Sequence, residues 1–269
     1  MYLEHYGLRV KPFDKTPNPA FFYKSPVHEE ALARLQYGTE EKELTLLTGE
    51  IGTGKTLLSR ALMDILPENH IPILIMNPRL SPNQFLKTVA LRLGIESPSY
   101  FRTDLLEQIN GALFRYYEES RCPVIIIDEA QIIPSRSTFD EIRLLTNFQL
   151  DDANLLSLVL IGQPELRKRL KQGALEAVRQ RIGIRYHLGP IGHEDTGKYI
   201  AHRLVTAEGD PGIISEEAVD LIFRYSGGLP RIINNIAANA LLAGFSKDLS
   251  QIGPDIILDV VEDLDLEPV

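Results

Sequence analysis

Eight consecutive residues, Gly49-Glu50-Ile51-Gly52-Thr53-Gly54-Lys55-Thr56, fit the spacing GxxxxGK[ST]. Glycines at these intervals let successive backbone N–H groups turn inward around the β- and γ-phosphates of a nucleotide. A helix starting at the lysine adds the positive potential of its N-terminus. Lys55 supplies a mobile cation, and the Thr56 hydroxyl suits Mg2+. Further along, Val124-Ile125-Ile126-Ile127 runs into Asp128 and Glu129, a buried-strand pattern ending in two carboxylates. Asp128 suits the water shell of Mg2+. Glu129 suits the water that attacks the γ-phosphorus, since general-base work needs a carboxylate within one hydrogen bond of the nucleophile. Both motifs call for the carboxyl edge of a parallel sheet, where open α/β folds hold their ligands.

Other polar groups fall at predicted strand ends or beside the loop. Asn77 follows the strand Ile71–Met76 and Gln163 follows Leu155–Ile161, so each is placed to position water or sense the γ-phosphate. Arg179 and Arg181 lie in a basic helical stretch whose only nearby acid is Glu176. They form a solvated face or offer a guanidinium to a neighbouring subunit's nucleotide, where it would neutralise charge developing in the transition state. Arg231 follows Gly228-Leu229-Pro230 at a helix start, from which it can reach back toward the phosphates. His28 and Glu29, in the first turn of a helix just ahead of the loop's strand, and Tyr37 can line an adenine pocket. His187 and Cys122 read as packing residues.

These residues need a scaffold, and the hydrophobic pattern supplies one. Ser25-Pro26 marks a helix start, with Gly38 as its stop. Leu44–Thr48 reads as a strand, and Lys55–Leu66 as a helix with Leu58, Ala61, Leu62 and Ile65 on one face. Strand Ile71–Met76, helices from Ser81 to Leu93 and over Thr103–Glu119, strand Val124–Ile127, helix Thr138–Leu150 and strands Leu155–Ile161 and Arg185–Leu188 continue the alternation. Continuous aliphatic strands of this kind belong inside a covered parallel sheet. After Gly189-Pro190 the pattern turns helical: Glu194–Glu208, Glu216–Tyr225, Pro230–Ala243 and Pro254–Leu264. The reading is an α/β doubly wound parallel sheet over 1–189 followed by a small all-helical lid over 190–269.

Composition sets outer limits. The 28 Lys+Arg against 37 Asp+Glu give a formal charge of −9, and 44% apolar residues in 269 suffice for a large core. A single cysteine excludes an intrachain disulfide and fits a reducing compartment. No CxxC or HExxH spacing suggests a metal site. No export signal opens the chain, and its apolar runs are too short to span a bilayer, so a cytoplasmic location is expected. The charge is uneven: 162–189 holds seven Lys/Arg against two acids, whereas 190–269 holds five against fourteen. Charge therefore leaves the choice of partner open.

The phrases MYLEHYGLRVKPFDKTPNPAFFYKSPVHEEALARLQYG, LLTGEIGTGKT, NPRLSPNQFL, VIIIDEAQ, EIRLLTNF, LVLIGQPELRKRL, VRQRIGIRYHLGPI and YSGGLPRIINNIAANALL span nearly the whole chain. It resembles the ExeA-type AAA+ ATPases, P-loop NTPases related to ATPases of pilus biogenesis and transposition. The resemblance implies that Gly49–Thr56 is Walker A, with Leu57, where many relatives have a second threonine, packing on the sheet. By the same likeness, Asp128 and Glu129 are Walker B, Asn77 the residue coupling the second strand to the catalytic glutamate, and Gln163 sensor 1. It marks Arg181 as the arginine finger with Arg179 as runner-up, and Arg231 as sensor 2. It further implies ATP and Mg2+ as cofactors and a ring-forming homo-oligomer that drives assembly or remodelling of a bacterial secretion, pilus or cell-envelope apparatus. Such an enzyme would work in the cytoplasm or peripherally at the inner membrane. Family members commonly continue into a transmembrane segment and a periplasmic peptidoglycan-binding domain; this sequence has no such segment after the lid, so membrane anchoring is not expected of it. The alternative is an ATP-dependent duplex-DNA-binding regulator of the transposition type, motivated by the basic Arg167–Arg185 stretch and opposed by the −9 total.

Overall fold

The computed structural model describes residues 2–14, 16, 18–150 and 153–269. The chain divides into two compact units, one of Glu30–Gly49 with Leu58–Leu188, the other of Met1–Glu29, Glu50–Leu57 and Gly189–Val269.

After a short α1 (Tyr2–His5) and α2 (Pro26–Glu40), the alternation begins with β1 (Leu44–Gly49), α3 (Lys55–Ile65) and β2 (His70–Ile75). It continues through α4 (Pro82–Arg92), α5 (Arg102–Glu118), β3 (Cys122–Ile127), α6 (Arg136–Leu145), β4 (Ser157–Gly162), α7 (Pro164–Leu170), α8 (Glu176–Arg181) and β5 (Ile182–Leu188). All pairings are parallel, in the order β2-β3-β4-β1-β5. The chain leaves β1 for the β2 edge and works back to β4, so the direction of winding reverses between β4 and β1, where such sheets open a crevice at their carboxyl ends. β1, β3 and β4 are buried throughout. Alternate residues Leu44, Leu46, Ile125, Ile127, Leu158 and Leu160 pack with Phe85, Leu86, Leu105, Ile109, Phe139 and Ile142 of the covering helices, following the two-residue period of strand side chains.

Several boundaries shift by two or more residues, β5 for one beginning at Ile182 and not Arg185, and two of the shifts have a clear local cause. α2 runs through Gly38 to Glu40. This glycine serves packing, because a Cβ there would collide with Thr45 Oγ1 of β1. α6 ends at Leu145, five residues short of the expected Leu150. The Phe148 carbonyl accepts from the Leu155 N–H at 3.1 Å, and Gln149 bridges antiparallel to Asn154, so a ladder takes these backbone groups from the helix.

The other unit is built on α9 (His193–Thr206), α10 (Glu216–Ser226), α11 (Pro230–Ser246) and α12 (Pro254–Asp263). Its core joins Ile200, Leu204, Ile222, Ile233, Ile236, Ile257 and Val261 to Tyr6, Leu8, Phe13 and Phe21 of the N-terminal stretch. Arg203, 6% exposed, donates to the Pro12 carbonyl at 2.6 Å and to Tyr199 Oη at 2.7 Å. Its guanidinium lies 5.1 Å from the centre of the Phe21 ring. The compact units thus differ from a division into 1–189 and 190–269. The first 29 residues belong with the helices because that is where their aromatic side chains lose their water.

Candidate active site

β1 runs directly into the glycine-rich loop, and α3 begins at Lys55. Gly52 and Gly54 adopt φ of +87° and +98°. A Cβ on Gly52 would lie 2.5 Å from Arg231 Cβ, and one on Gly54 3.1 Å from His28 Nε2, so conformation and space both require glycine. Thr53 Oγ1 and Lys55 Nζ donate to the Glu50 carbonyl at 2.9 and 2.8 Å, closing the loop around its own backbone. Glu50 and Ile51 are exposed, Thr56 and Leu57 half-buried.

Two groups brace this loop. The Arg231 N–H donates to the Gly52 carbonyl at 3.2 Å, while the Arg231 side chain is exposed. His28 is 5% exposed, with Nε2 2.9 Å from the Thr53 carbonyl and Nδ1 2.6 Å from Ser25 Oγ. A carbonyl only accepts, so Nε2 carries the hydrogen, and Nδ1 of the neutral ring accepts from the Ser25 hydroxyl. Burial pushes the His28 pKa down, against the opposing effects of the Thr53 bond and of Asp195. Both nitrogens are engaged by the chain, so His28 offers no polar atom to a base; it fastens the loop instead of furnishing polar contacts in an adenine pocket. Tyr37 is exposed on α2.

At the carboxyl edge of the sheet, Asp128 and Glu129 follow β3 and Gln163 follows β4. Asp128 is buried, its N–H donates to the Ile75 carbonyl at 2.9 Å, and its Oδ1 accepts the Glu129 N–H at 2.8 Å. Glu129 adopts φ +55°, a left-handed conformation that a side-chain-bearing residue keeps only where its surroundings fix it. They do. Gln163 Nε2 donates to Glu129 Oε2 at 3.3 Å, and Gln131 Nε2 donates to the same oxygen. Gln131 Oε1 accepts the Gln163 backbone N–H at 3.0 Å, which closes a ring of three residues. Arg169 Nη1 then holds the Gln131 and Ile133 carbonyls at 2.6 and 2.8 Å.

Gln131 escaped the sequence reading; its only signal was its place two residues beyond Glu129. Asn77, expected to couple to that glutamate, is exposed, and its Oδ1 accepts from the Arg79 N–H at 3.3 Å. Among the described residues it makes no bond to Glu129, because Gln131 takes that place. Arg181 is exposed at the amino end of β5, donating to Asn147 Oδ1 at 2.9 Å. Arg179 is tied to Glu176 by bonds of 2.8 and 2.6 Å. His187, expected to pack, is exposed on β5 with Nδ1 3.0 Å from Thr48 Oγ1, whereas Cys122 is buried.

The residues fit a magnesium–nucleotide group. The loop has no room for a Cβ at Gly52 or Gly54 and carries Lys55 as a cation and the Thr56 hydroxyl as a hard oxygen donor; the Asp128 carboxylate after β3 is, by itself, a donor of the same kind.

Comparison with known proteins agrees with this reading. Residues 38–170 match the AAA domain family. The chain is 39% identical over 251 residues to general secretion pathway protein A of Aeromonas hydrophila, covering 92% of this chain and 45% of that protein, so it spans less than half of the relative's length. Among solved structures, Cdc6p of Pyrobaculum aerophilum superposes with a TM-score of 0.67 at 18% identity, covering 94% of this chain and 70% of that one. The Thermotoga maritima RuvB Holliday junction branch migration motor superposes at 0.62 and 19%, covering 95% and 74%. At such identities these structures establish the fold. With the phosphate loop following β1 and the acidic strand end following β3, the fold is that of the AAA+ P-loop NTPases, residues 38–170 form the AAA domain, and the chain is similar to the ExeA-type members of that group.

Proposed function

We propose that the chain hydrolyses ATP in the presence of Mg2+, as one subunit of a homo-oligomer that drives assembly or remodelling of a bacterial secretion, pilus or cell-envelope apparatus. The observation that carries the hydrolytic part is the ring of Glu129, Gln131 and Gln163, which holds one carboxylate oxygen at the edge where a γ-phosphate is expected. In this reading the loop N–H groups and Lys55 bind the phosphates, and Arg231 reaches them from its helix start. Thr56 and Asp128 hold Mg2+, which neutralises phosphate charge. Glu129 takes the proton of the attacking water while Gln163 orients it. Arg181, less engaged than Arg179, serves a neighbouring subunit. The secretion role rests on the Aeromonas relative. The place of action follows as the cytoplasm or the inner face of the inner membrane; no helix among the described residues is long and apolar enough to cross a membrane.

Phosphate release with and without Glu129→Gln tests this. Turnover should fall by about 10²-fold or more while ATP still binds. Equal turnover in the variant would remove Glu129 from the chemistry. For the subunit role, specific activity should rise with protein concentration, and Arg181→Ala should abolish that rise.

A further inference from the structure

A concavity of about 220 Å³, lined by none of the residues Gly49–Thr56, opens along β1 and β5. Its rim carries Arg167 and Lys171 from α7 and the residue after it, Arg179 from α8, and Arg185 and His187 two residues apart on β5. Leu46, Leu170 and Ile182 contribute an apolar lining, and no acid lines it. The charges can be followed one by one. Glu176 neutralises Arg179. Arg185 places Nη2 on the Arg179 carbonyl at 2.6 Å, a bond that fixes its guanidinium; it has no ion pair of its own and shares only the longer-range attraction of Glu176. Arg167 and Lys171 make no ion pair or side-chain hydrogen bond among the described residues. Three cations without an ion pair thus surround one concavity with apolar walls, where low-dielectric surface focuses their common field.

We propose that this concavity is a second phosphate site, distinct from the glycine-rich loop, that takes a compact di- or triphosphate group. Guanidinium forks pair bidentately with phosphate oxygens, and two of the three cations without an ion pair are arginines. The volume decides the size of the ligand. It falls below the roughly 300–1,000 Å³ of pockets that enclose a drug-sized molecule, so the phosphates enter and any base or ribose stays outside. The group comes from free inorganic polyphosphate or from the phosphate tail of a nucleotide. Arg181, bonded to Asn147, is outside the lining, and Arg179, the runner-up for the finger, stands on the rim with its charge taken by Glu176, so neither is asked to hold the phosphates here.

Titration calorimetry with inorganic tripolyphosphate tests this independently of the ATPase reading. Wild type should show two binding events, one removed by Lys55→Ala and the other weakened about tenfold or more by Arg167→Ala or Arg185→Ala, with unchanged melting temperatures. Lys171→Glu, on the exposed rim, should remove the second event outright. If tripolyphosphate shows only the loop event while ATP shows both, the source is a nucleotide. A single event with both ligands, or a second event indifferent to Arg167→Ala, Arg185→Ala and Lys171→Glu alike, would overturn the site. Failure of the loop event alone would count against the ATPase reading and leave this one standing.

Discussion

Replacing His28 tests whether the phosphate loop is held from the N-terminal stretch. Ser25 and Thr53 are both fully buried, so His28→Ala strands the Ser25 hydroxyl and the Thr53 carbonyl without their partner. Each stranded group costs about 1–3 kcal/mol, and the edge-on contact with Phe22, ring centres 5.7 Å apart, adds about 0.5–1.5 kcal/mol. The sum is about 2.5–7.5 kcal/mol, a fall in Tm of about 5–30 °C for a chain of this size. Two near-isosteres divide the effect. His28→Gln keeps a donor near the position of Nε2, facing Thr53; His28→Asn keeps a polar atom near Nδ1, facing Ser25. All three variants should melt lower than wild type, but nucleotide affinity should fall in His28→Ala and His28→Asn and hold within about threefold in His28→Gln. If His28→Gln loses as much affinity as His28→Asn, the bond to Thr53 does not position the loop. The pH sign follows from burial. The His28 pKa is depressed in the folded chain, so its contribution is complete above the ordinary value of 6.5 and is lost as pH falls toward the folded value. His70 and His202 are depressed for the same leading reason and act in the same direction. Wild type should therefore lose Tm between pH 7.5 and 5.5, and His28→Gln should lose less.

Two further substitutions probe the packing that carries the site. Gly38→Ala should lower stability by about 1–3 kcal/mol in thermal melts, although alanine favours helix by about 1 kcal/mol, because the new methyl meets Thr45 Oγ1 and comes 3.1 Å from Ile184 Cδ1; a Tm at or above wild type would contradict this. Arg203→Leu should free the Pro12 carbonyl and the Phe13 and Phe21 rings from their anchor, so that trypsin cuts after Arg9 and Lys24 at least fivefold faster than in wild type. An unchanged cleavage pattern would show that the apolar contacts hold the segment alone.

The contrast between Lys55 and Gln131 marks what was legible in the sequence. The phosphate loop is local: eight residues carry their own glycines, lysine and threonine, and the flanking strand and helix can be read by period. Asp128 and Glu129 are nearly as local, since the aliphatic run before them fixes the strand end. Gln131 acts only because the ends of β3 and β4 lie side by side, which brings the Gln163 N–H to its carbonyl oxygen. Asn77 failed for the complementary reason: a nearby backbone donor, Arg79, captured its side chain. Gly38 shows a different ambiguity. A glycine after a helical run reads equally as a stop or as a close approach to a neighbour, and only Thr45 across the gap decides. The first 29 residues were assigned by adjacency in sequence, whereas their aromatic side chains follow the available apolar surface.

Net charge was the least legible quantity of all, and the reason lies in the basic stretch from Gly162 to Gly189. Its seven cations look alike in sequence, yet the fold divides them by task. Arg169 satisfies two backbone carbonyls beneath Glu129, Arg179 answers Glu176, and Arg181 reaches Asn147 at the amino end of β5. Lys168 is exposed to solvent, where a charge acts over little more than a Debye length, about 10 Å at 0.1 M salt. Arg167, Lys171 and Arg185 remain, and they share one concavity. A ligand therefore meets only three of the seven charges together, in a setting that neither the segment's +5 nor the chain's −9 describes. Partner chemistry follows from that local arrangement, because field strength depends on which charges are uncompensated and on the dielectric of the walls around them.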